Sequence, residues 1–139
     1  MEISRLDPQD VGARRVGALR PISVLIVDDD IDTHDMLSVL LAHAGYSVAT
    51  AGNGQEALCM LTSIRPAVIL LDVEMPVMTG AQFREAQRRD NVLVRIPTIV
   101  MTGSKEEPQL DPGIAEVLHK PFRSKQLIAA IGRYCTPEH

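Results

Sequence analysis

The chain has 139 residues, of which 45% are hydrophobic and 23% charged, and its formal net charge is −4. This size and balance predict one globular domain with a single core and exclude a disordered or fibrous chain. The acidic balance is unsuited to a phosphate backbone, so we expect no nucleic-acid partner. No apolar run has the length of a membrane span, and the first residues lack the apolar core of a signal peptide, so we expect a cytoplasmic protein with no membrane partner.

The amino-terminal residues differ from the rest in composition. Residues 1–20 combine one proline and two glycines with four arginines and show no sustained hydrophobic period. We expect them to form an extension outside the core. Apolar runs and amphipathic stretches alternate from residue 21 onward, which predicts one folded domain over 21–136 and a short tail at 137–139.

Five short apolar runs predict strands, and the amphipathic segments among them predict helices. In chain order the expected elements are a strand over 22–27, a helix over 31–44, a strand over 46–50, a helix over 53–64, a strand over 67–71, a helix over 80–90, strands over 96–101 and 114–118, and a helix over 124–134. This alternation predicts a parallel sheet with helices on both faces. In such a sheet the binding crevice lies beyond the carboxyl ends of the strands.

Polar side chains stand at four of the expected strand ends: Asp28 and Asp29, then Asp72, Thr102 and Lys120. If the sheet is parallel, these residues meet at one edge. Three carboxylates in one crevice would repel each other unless a cation lies among them, and oxygen ligands suit Mg²⁺. Lys120 could contact a bound phosphoryl group and Thr102 could donate a hydrogen bond to its oxygen. Together these groups indicate phosphoryl transfer onto an aspartate.

An acid directly after a strand also has a commoner explanation, as a turn or helix-cap residue. Asp30 fits it because the next helix is expected to begin at Ile31. Asn53 and Thr79 are expected to cap the two helices that follow. A cap explains any one acid, but it does not explain matched polar residues at the ends of four strands.

The motifs at these strand ends resemble those of a known family. VDD at 27–29, LLDVEMPVMTG at 70–80, the strand-end Thr102 and HKPF at 119–122 occur in order and at near-family spacing. Over about residues 22–135 the chain is similar to the receiver domains of two-component response regulators, and in particular to single-domain regulators of the chemotaxis type.

The resemblance implies a flavodoxin-like (βα)₅ fold, a doubly wound parallel sheet of five strands, with Asp72 as the phosphoacceptor. It implies Mg²⁺ (or Mn²⁺) as the cofactor and the following site: Asp28, Asp29, Asp72 and the backbone carbonyl of Glu74 as metal ligands, Thr102 and Lys120 as contacts of the phosphoryl group, and a cis peptide bond before Pro121. A physical argument agrees on the phosphoacceptor. The adjacent acids Asp28 and Asp29 are best used as metal ligands, whereas Asp72 stands alone after an apolar run.

The sequence departs from the family pattern in two places. Thr102 and Lys120 are closer together than is usual, and the segment 103–113 contains Pro108 and Pro112, so the fourth helix is predicted to be short or lost. The second departure concerns the switch positions, Thr102 and Val117. Relatives commonly carry an aromatic ring at the latter, and a valine has no ring to reorient.

The resulting hypothesis is a stand-alone receiver that takes a phosphoryl group onto Asp72 from a histidine kinase or phosphotransfer protein. It would signal to an unknown downstream protein, or pass the group on in a phosphorelay, as a monomer or weak dimer. We do not expect an enzyme beyond self-phosphorylation and self-dephosphorylation. One alternative is a receiver-like scaffold that works without phosphorylation; the other is a phosphatase with an aspartyl nucleophile, in which Glu74 would be the second acid.

Overall fold

The computed structural model describes residues 19–74, 79–103 and 113–138. The strands are β1 (Arg20–Val27), β2 (Val48–Ala51), β3 (Ile64–Asp72), β4 (Thr98–Thr102) and β5 (Glu116–His119). The helices are α1 (Ile31–His43), α2 (Gly54–Met60), α3 (Gly80–Arg88) and α4 (Ser124–Gly132), with a 3₁₀ turn at Leu93–Arg95. Among these described residues, no helix has both the length and the apolar character that crossing a membrane requires.

The strands form one sheet in the order β2-β1-β3-β4-β5, and every pairing is parallel. Two apolar cores lie on opposite faces of this sheet. One packs Leu37 of α1 and Leu127 of α4 against the strands, and the other packs Ala57 of α2 and Phe83 of α3. The predicted parallel sheet with helices on both faces is confirmed, and the central strands carry continuous apolar runs, such as 24–27 and 67–71, because both of their faces are covered.

The predicted boundary between the second helix and the third strand is wrong. The helix expected over 53–64 ends at Met60, and Ile64 instead begins β3, where it pairs with Arg20. The turn between them is closed by hydrogen bonds from the Thr62 N–H to the Cys59 carbonyl and from the Ser63 N–H to the Met60 carbonyl. Ile64 fits a helical apolar face as well as it fits the first position of a buried strand, so periodicity alone does not separate the two.

The 3₁₀ turn at Leu93–Arg95 has no strong sequence signal, because a buried side chain organises it. The Gln87 amide donates to the carbonyls of Leu93 and Ile96 at 2.9 and 3.1 Å, and it accepts from the Thr98 hydroxyl at 3.1 Å. These bonds satisfy polar groups that burial would otherwise leave unpaired.

The three predicted helix caps are confirmed. Asp30, Asn53 and Thr79 each accept a hydrogen bond from a backbone N–H in the first turn of the following helix. Two other predictions, the extension over most of 1–20 and the shortened helix within 103–113, fall on residues 1–18 and 104–112. Those residues lie outside the described part of the chain, and both expectations stay predictions.

Gly80 lets the chain pass close to the end of β3 before α3 begins. A Cβ atom at this position would lie 2.6 Å from the Val73 Cα and 2.9 Å from its Cγ1. A methyl group there would push against backbone rather than against a flexible side-chain end, so the close contact between Val73 and residue 80 depends on a glycine.

We expect Gly80→Ala to lower the free energy of unfolding by about 1–3 kcal/mol, because an extra methyl in a closed contact forces the backbone to shift. The matched control is Gly132→Ala at the end of α4, where the added Cβ would lie 3.5 Å from the Tyr46 hydroxyl oxygen, at ordinary contact distance. The control variant should be neutral or more stable by up to about 1 kcal/mol. Urea denaturation measures both, and equal stability of the two variants would contradict the packing argument.

Candidate functional site

The carboxyl ends of β1, β3, β4 and β5 bring the predicted polar residues to one edge of the sheet. Asp28 follows β1, Asp72 ends β3 and Thr102 ends β4. Lys120 follows β5, and its backbone N–H donates to the Thr102 carbonyl at 2.7 Å. The parallel registers align these strand ends, so residues far apart in sequence become neighbours.

Three carboxylates converge at this edge. Asp28, Asp29 and Asp72 each offer an oxygen, and these oxygens lie within 4.8 Å of one another. Asp28 is fully buried and Asp72 is 3% exposed, whereas Asp29 is open to solvent. Such a group of oxygen donors is the ligand set that a hard divalent cation prefers.

The two buried carboxylates are held in the same way. The Oδ1 atom of Asp28 accepts the backbone N–H of Asp30 at 2.9 Å, and the Oδ1 atom of Asp72 accepts that of Glu74 at 2.9 Å. Each bond spans two residues and fixes the carboxylate at the start of a turn. One oxygen of each acid is therefore used by the loop, and the second oxygen, Oδ2, faces Lys120.

Lys120 lies between the two buried acids. Its Nζ atom is 3.7 Å from Asp28 Oδ2 and 3.7 Å from Asp72 Oδ2. The Lys120–Pro121 peptide bond is cis. One ammonium facing two buried carboxylates leaves a local excess of negative charge.

The buried surroundings of Asp72 raise the pKa of its carboxyl to about 6. Burial is the largest cause, and the negative charge of Asp28 raises the pKa further. The N–H of Glu74 and the ammonium of Lys120 act in the opposite direction but do not overcome burial.

The oxygen ligands that this cluster offers fit a divalent cation. Asp28 Oδ2 is buried and accepts no hydrogen bond from any group in the described part of the chain. A buried carboxylate oxygen without a donor is costly, and coordination of a cation would satisfy it. Asp29 and Asp72 supply further oxygens on the same side.

Thr102 is buried at the end of β4, but its hydroxyl faces a protein carboxylate. The Oγ1 atom donates to Glu74 Oε2 at 2.9 Å, and the neighbouring Gly103 N–H donates to Glu74 Oε1 at 3.2 Å. Sequence reasoning gave Glu74 a role only through its backbone carbonyl or as the second acid of a phosphatase, and so missed this contact. No local sequence signal identifies it, because Glu74 follows the end of β3 and its partner Thr102 stands at the end of β4.

Val117 lies away from the carboxylates. It pairs with Val100 in the middle of β5 and packs, half-buried, against the core that contains Phe83. Its role as a switch position stays a prediction.

The strand order β2-β1-β3-β4-β5 is that of the flavodoxin-like doubly wound fold, in which ligands bind at the carboxyl ends of the strands, where this chain carries its acid cluster and Lys120. The family model of the response regulator receiver domain matches residues 24–132. The chain therefore belongs to the response regulator receiver family.

Individual relatives agree with this assignment. The phosphate regulon transcriptional regulatory protein PhoB of Pseudomonas aeruginosa is 34% identical over 113 residues, which are 78% of this chain and 49% of that protein. The structure of the chemotaxis response regulator CheY4 of Vibrio cholerae matches with a TM-score of 0.72 and 35% identity over 84% of this chain and 98% of CheY4. A receiver domain of a histidine kinase from Syntrophus aciditrophicus matches with a TM-score of 0.74 and 29% identity, over 81% of this chain and 89% of that one. The chain spans about half the length of the curated relatives it matches.

We expect Asp72→Asn to raise the free energy of unfolding by about 1–2 kcal/mol at pH 7.5 without divalent cations, because the amide removes a buried charge that repels Asp28. The raised pKa of Asp72 sets the pH dependence. An acid whose pKa is higher in the folded state binds its proton more tightly there, so its ionisation destabilises the fold as the pH rises through about 6.

The advantage of the variant should therefore shrink as the pH falls from 7.5 to 4, where the wild-type carboxyl is protonated. Urea denaturation at several pH values in the presence of a chelator measures this. A difference that stays constant across the range would contradict the assignment of the raised pKa to Asp72.

Proposed function

We propose that this receiver domain accepts one phosphoryl group on Asp72 and signals through the change in charge at this edge of the sheet. The observation that carries the proposal is the shared surroundings of the Asp28 and Asp72 carboxylates, with both Oδ2 atoms 3.7 Å from the same ammonium. Receiver domains take the group from a histidine kinase or a phosphotransfer protein, and that class of donor is proposed for this chain.

In the proposed reaction an oxygen of the Asp72 carboxylate attacks the phosphorus of a phosphohistidine. The new bond is the O–P bond of an acyl phosphate, and the bond that breaks is the N–P bond of the donor, whose electron pair returns to the imidazole nitrogen. The step needs the ionised form of Asp72, which predominates above its pKa of about 6. The Lys120 ammonium is placed to compensate the charge that the phosphoryl group brings.

Asp28, Asp29, Asp72 and the Glu74 carbonyl are proposed to hold Mg²⁺ (or Mn²⁺). When bound, the ion would compensate negative charge on the phosphoryl oxygens, which is its usual role in phosphoryl transfer. Thr102 is proposed to donate to a phosphoryl oxygen, a role that requires its hydroxyl to leave Glu74.

Asp72 is favoured over Asp28 as the phosphoacceptor for two reasons. It occupies the acid position of the LLDVEMPVMTG motif, alone after an apolar run. Asp28 and Asp29 are adjacent, and one cation can neutralise both.

The phosphatase alternative gains no support from the site. It needs the Glu74 carboxyl to face a leaving group, whereas both of its oxygens are engaged as hydrogen-bond acceptors by Thr102 and Gly103. Labelling with a small phosphoryl donor distinguishes the phosphorylation-independent scaffold from a working receiver, because only a receiver would gain a phosphoryl group. The stand-alone arrangement, the cytoplasmic location and the monomeric or weakly dimeric state remain predictions.

Incubation with Mg²⁺ and acetyl phosphate is expected to add the mass of one phosphoryl group to the wild-type protein. Asp72→Asn should gain none, and Asp35→Asn, an exposed acid on α1, should behave as wild type. Intact-mass spectrometry followed by peptide mapping reads the result. A wild-type protein that never gains mass, or an Asp72→Asn variant that gains as much, would contradict the proposal and favour the scaffold.

The surface next to the site suits a protein donor. Ile31 directly follows the acidic loop and is 70% exposed, and Met36 and Val39 on the same helix are 60% and 59% exposed. Large apolar side chains that stay exposed on a helix beginning beside the site suit a protein-binding surface. We propose that α1 contacts the phosphorylated donor protein.

Ile31→Asp should then slow phosphorylation by a cognate phosphohistidine protein by roughly tenfold or more, since a charge replaces an apolar contact. Labelling by acetyl phosphate should be unchanged because this small donor needs no helix surface. Val92→Asp, an equally simple change at an exposed residue near the 3₁₀ turn, is the control. Equal loss with both donors would show damage to the site rather than to a docking surface.

A further inference from the structure

The Glu74 side chain occupies two hydrogen-bond donors at the end of β4. Its Oε2 atom accepts the Thr102 hydroxyl at 2.9 Å, and its Oε1 atom accepts the Gly103 N–H at 3.2 Å. Both oxygens of one carboxylate are thus held by adjacent residues, one through a side chain and one through the backbone. Hydrogen bonds to an ionised acceptor are stronger than neutral ones.

The backbone of Glu74 is hydrogen-bonded to Asp72. The Glu74 backbone N–H donates to Asp72 Oδ1 at 2.9 Å. Glu74 therefore links the acid that is proposed to carry the phosphoryl group to the hydroxyl that is proposed to bind it. Its side chain is exposed to solvent, so it can turn outward without leaving a buried charge behind.

Glu74 and a phosphoryl group compete for the same donor. The Thr102 hydroxyl has a single hydrogen, which it gives either to Glu74 or to a phosphoryl oxygen, but not to both. A carboxylate that stayed in place would also put a negative charge against the incoming phosphoryl oxygens.

We propose that the Glu74 carboxylate stands in for the phosphoryl group in the resting protein and acts as a gate on the site. It holds Thr102 and Gly103 until phosphorylation of Asp72 displaces it, and its exit links the chemical event at β3 to a change at the end of β4. This inference rests on the proposed function, because the displacing anion is the phosphoryl group on Asp72. In this account Glu74 is a positioning residue that acts through Thr102.

Gating predicts faster labelling when the carboxylate is weakened or removed. With Mg²⁺ kept saturating, Glu74→Gln should be phosphorylated by acetyl phosphate roughly tenfold faster than wild type, since a neutral amide oxygen accepts more weakly and carries no charge. Glu74→Ala should be at least as fast. Glu85→Gln, which removes the same charge from an exposed position on α3, should match wild type.

A second readout tests the contact itself without any phosphoryl donor. The Gly103 amide resonance in the resting protein should shift on Glu74→Ala, because its acceptor is lost, and should stay in place in Glu85→Gln. Beryllofluoride with Mg²⁺ should move the same resonance in the wild-type protein as the acidic side chain leaves.

The outcomes separate the gate from the proposed function. If no protein gains mass, phosphorylation of Asp72 fails, and the Gly103 resonance still reports whether the contact exists. If wild type is labelled and Glu74→Gln and Glu74→Ala are labelled no faster, the gate is overturned. If they are faster while the Gly103 resonance does not move, Glu74 acts by its charge alone, and the gate is equally overturned.

Discussion

The structure depends on two buried carboxylates that face one ammonium. Asp28 and Asp72 stand at the ends of adjacent central strands, each held by a backbone N–H two residues further on, with their second oxygens 3.7 Å from Lys120. Burial, with a further contribution from the charge of Asp28, raises the pKa of Asp72, so the ionised carboxylate lowers the stability of the fold. A divalent cation would compensate the negative charge of such a site.

The parallel sheet forms this site because its strands place residues from distant parts of the chain at one edge. The apolar strands are covered on both faces, so the sheet is rigid where the site needs fixed geometry. The connections after the strands then position the chemistry: Asp30 caps α1 directly after the first acids, and Gly80 allows the close return past Val73. The stability of the packed sheet thus offsets the free-energy cost of burying the acids at its edge.

The sequence predicted the sheet, the helices on both faces and the meeting of the strand-end residues, because long apolar runs and turn chemistry are local signals. It failed at Ile64, where an apolar residue suits two elements, and at the 3₁₀ turn, which a buried glutamine from a preceding helix organises. It also missed the side chain of Glu74 against Thr102. That contact joins the ends of two different strands, and no local pattern records which partner an exposed acid will choose.

The central claim is that the acid cluster at the strand ends is a divalent-cation site built on Asp28. Calorimetric titration with Mg²⁺ at pH 7.5 tests it most directly, with wild type compared with Asp28→Asn and with the exposed Asp35→Asn. We predict saturable binding of one ion to wild type and to Asp35→Asn, and much weaker binding to Asp28→Asn. Absence of saturable binding to wild type, or equal binding to all three proteins, would contradict the account.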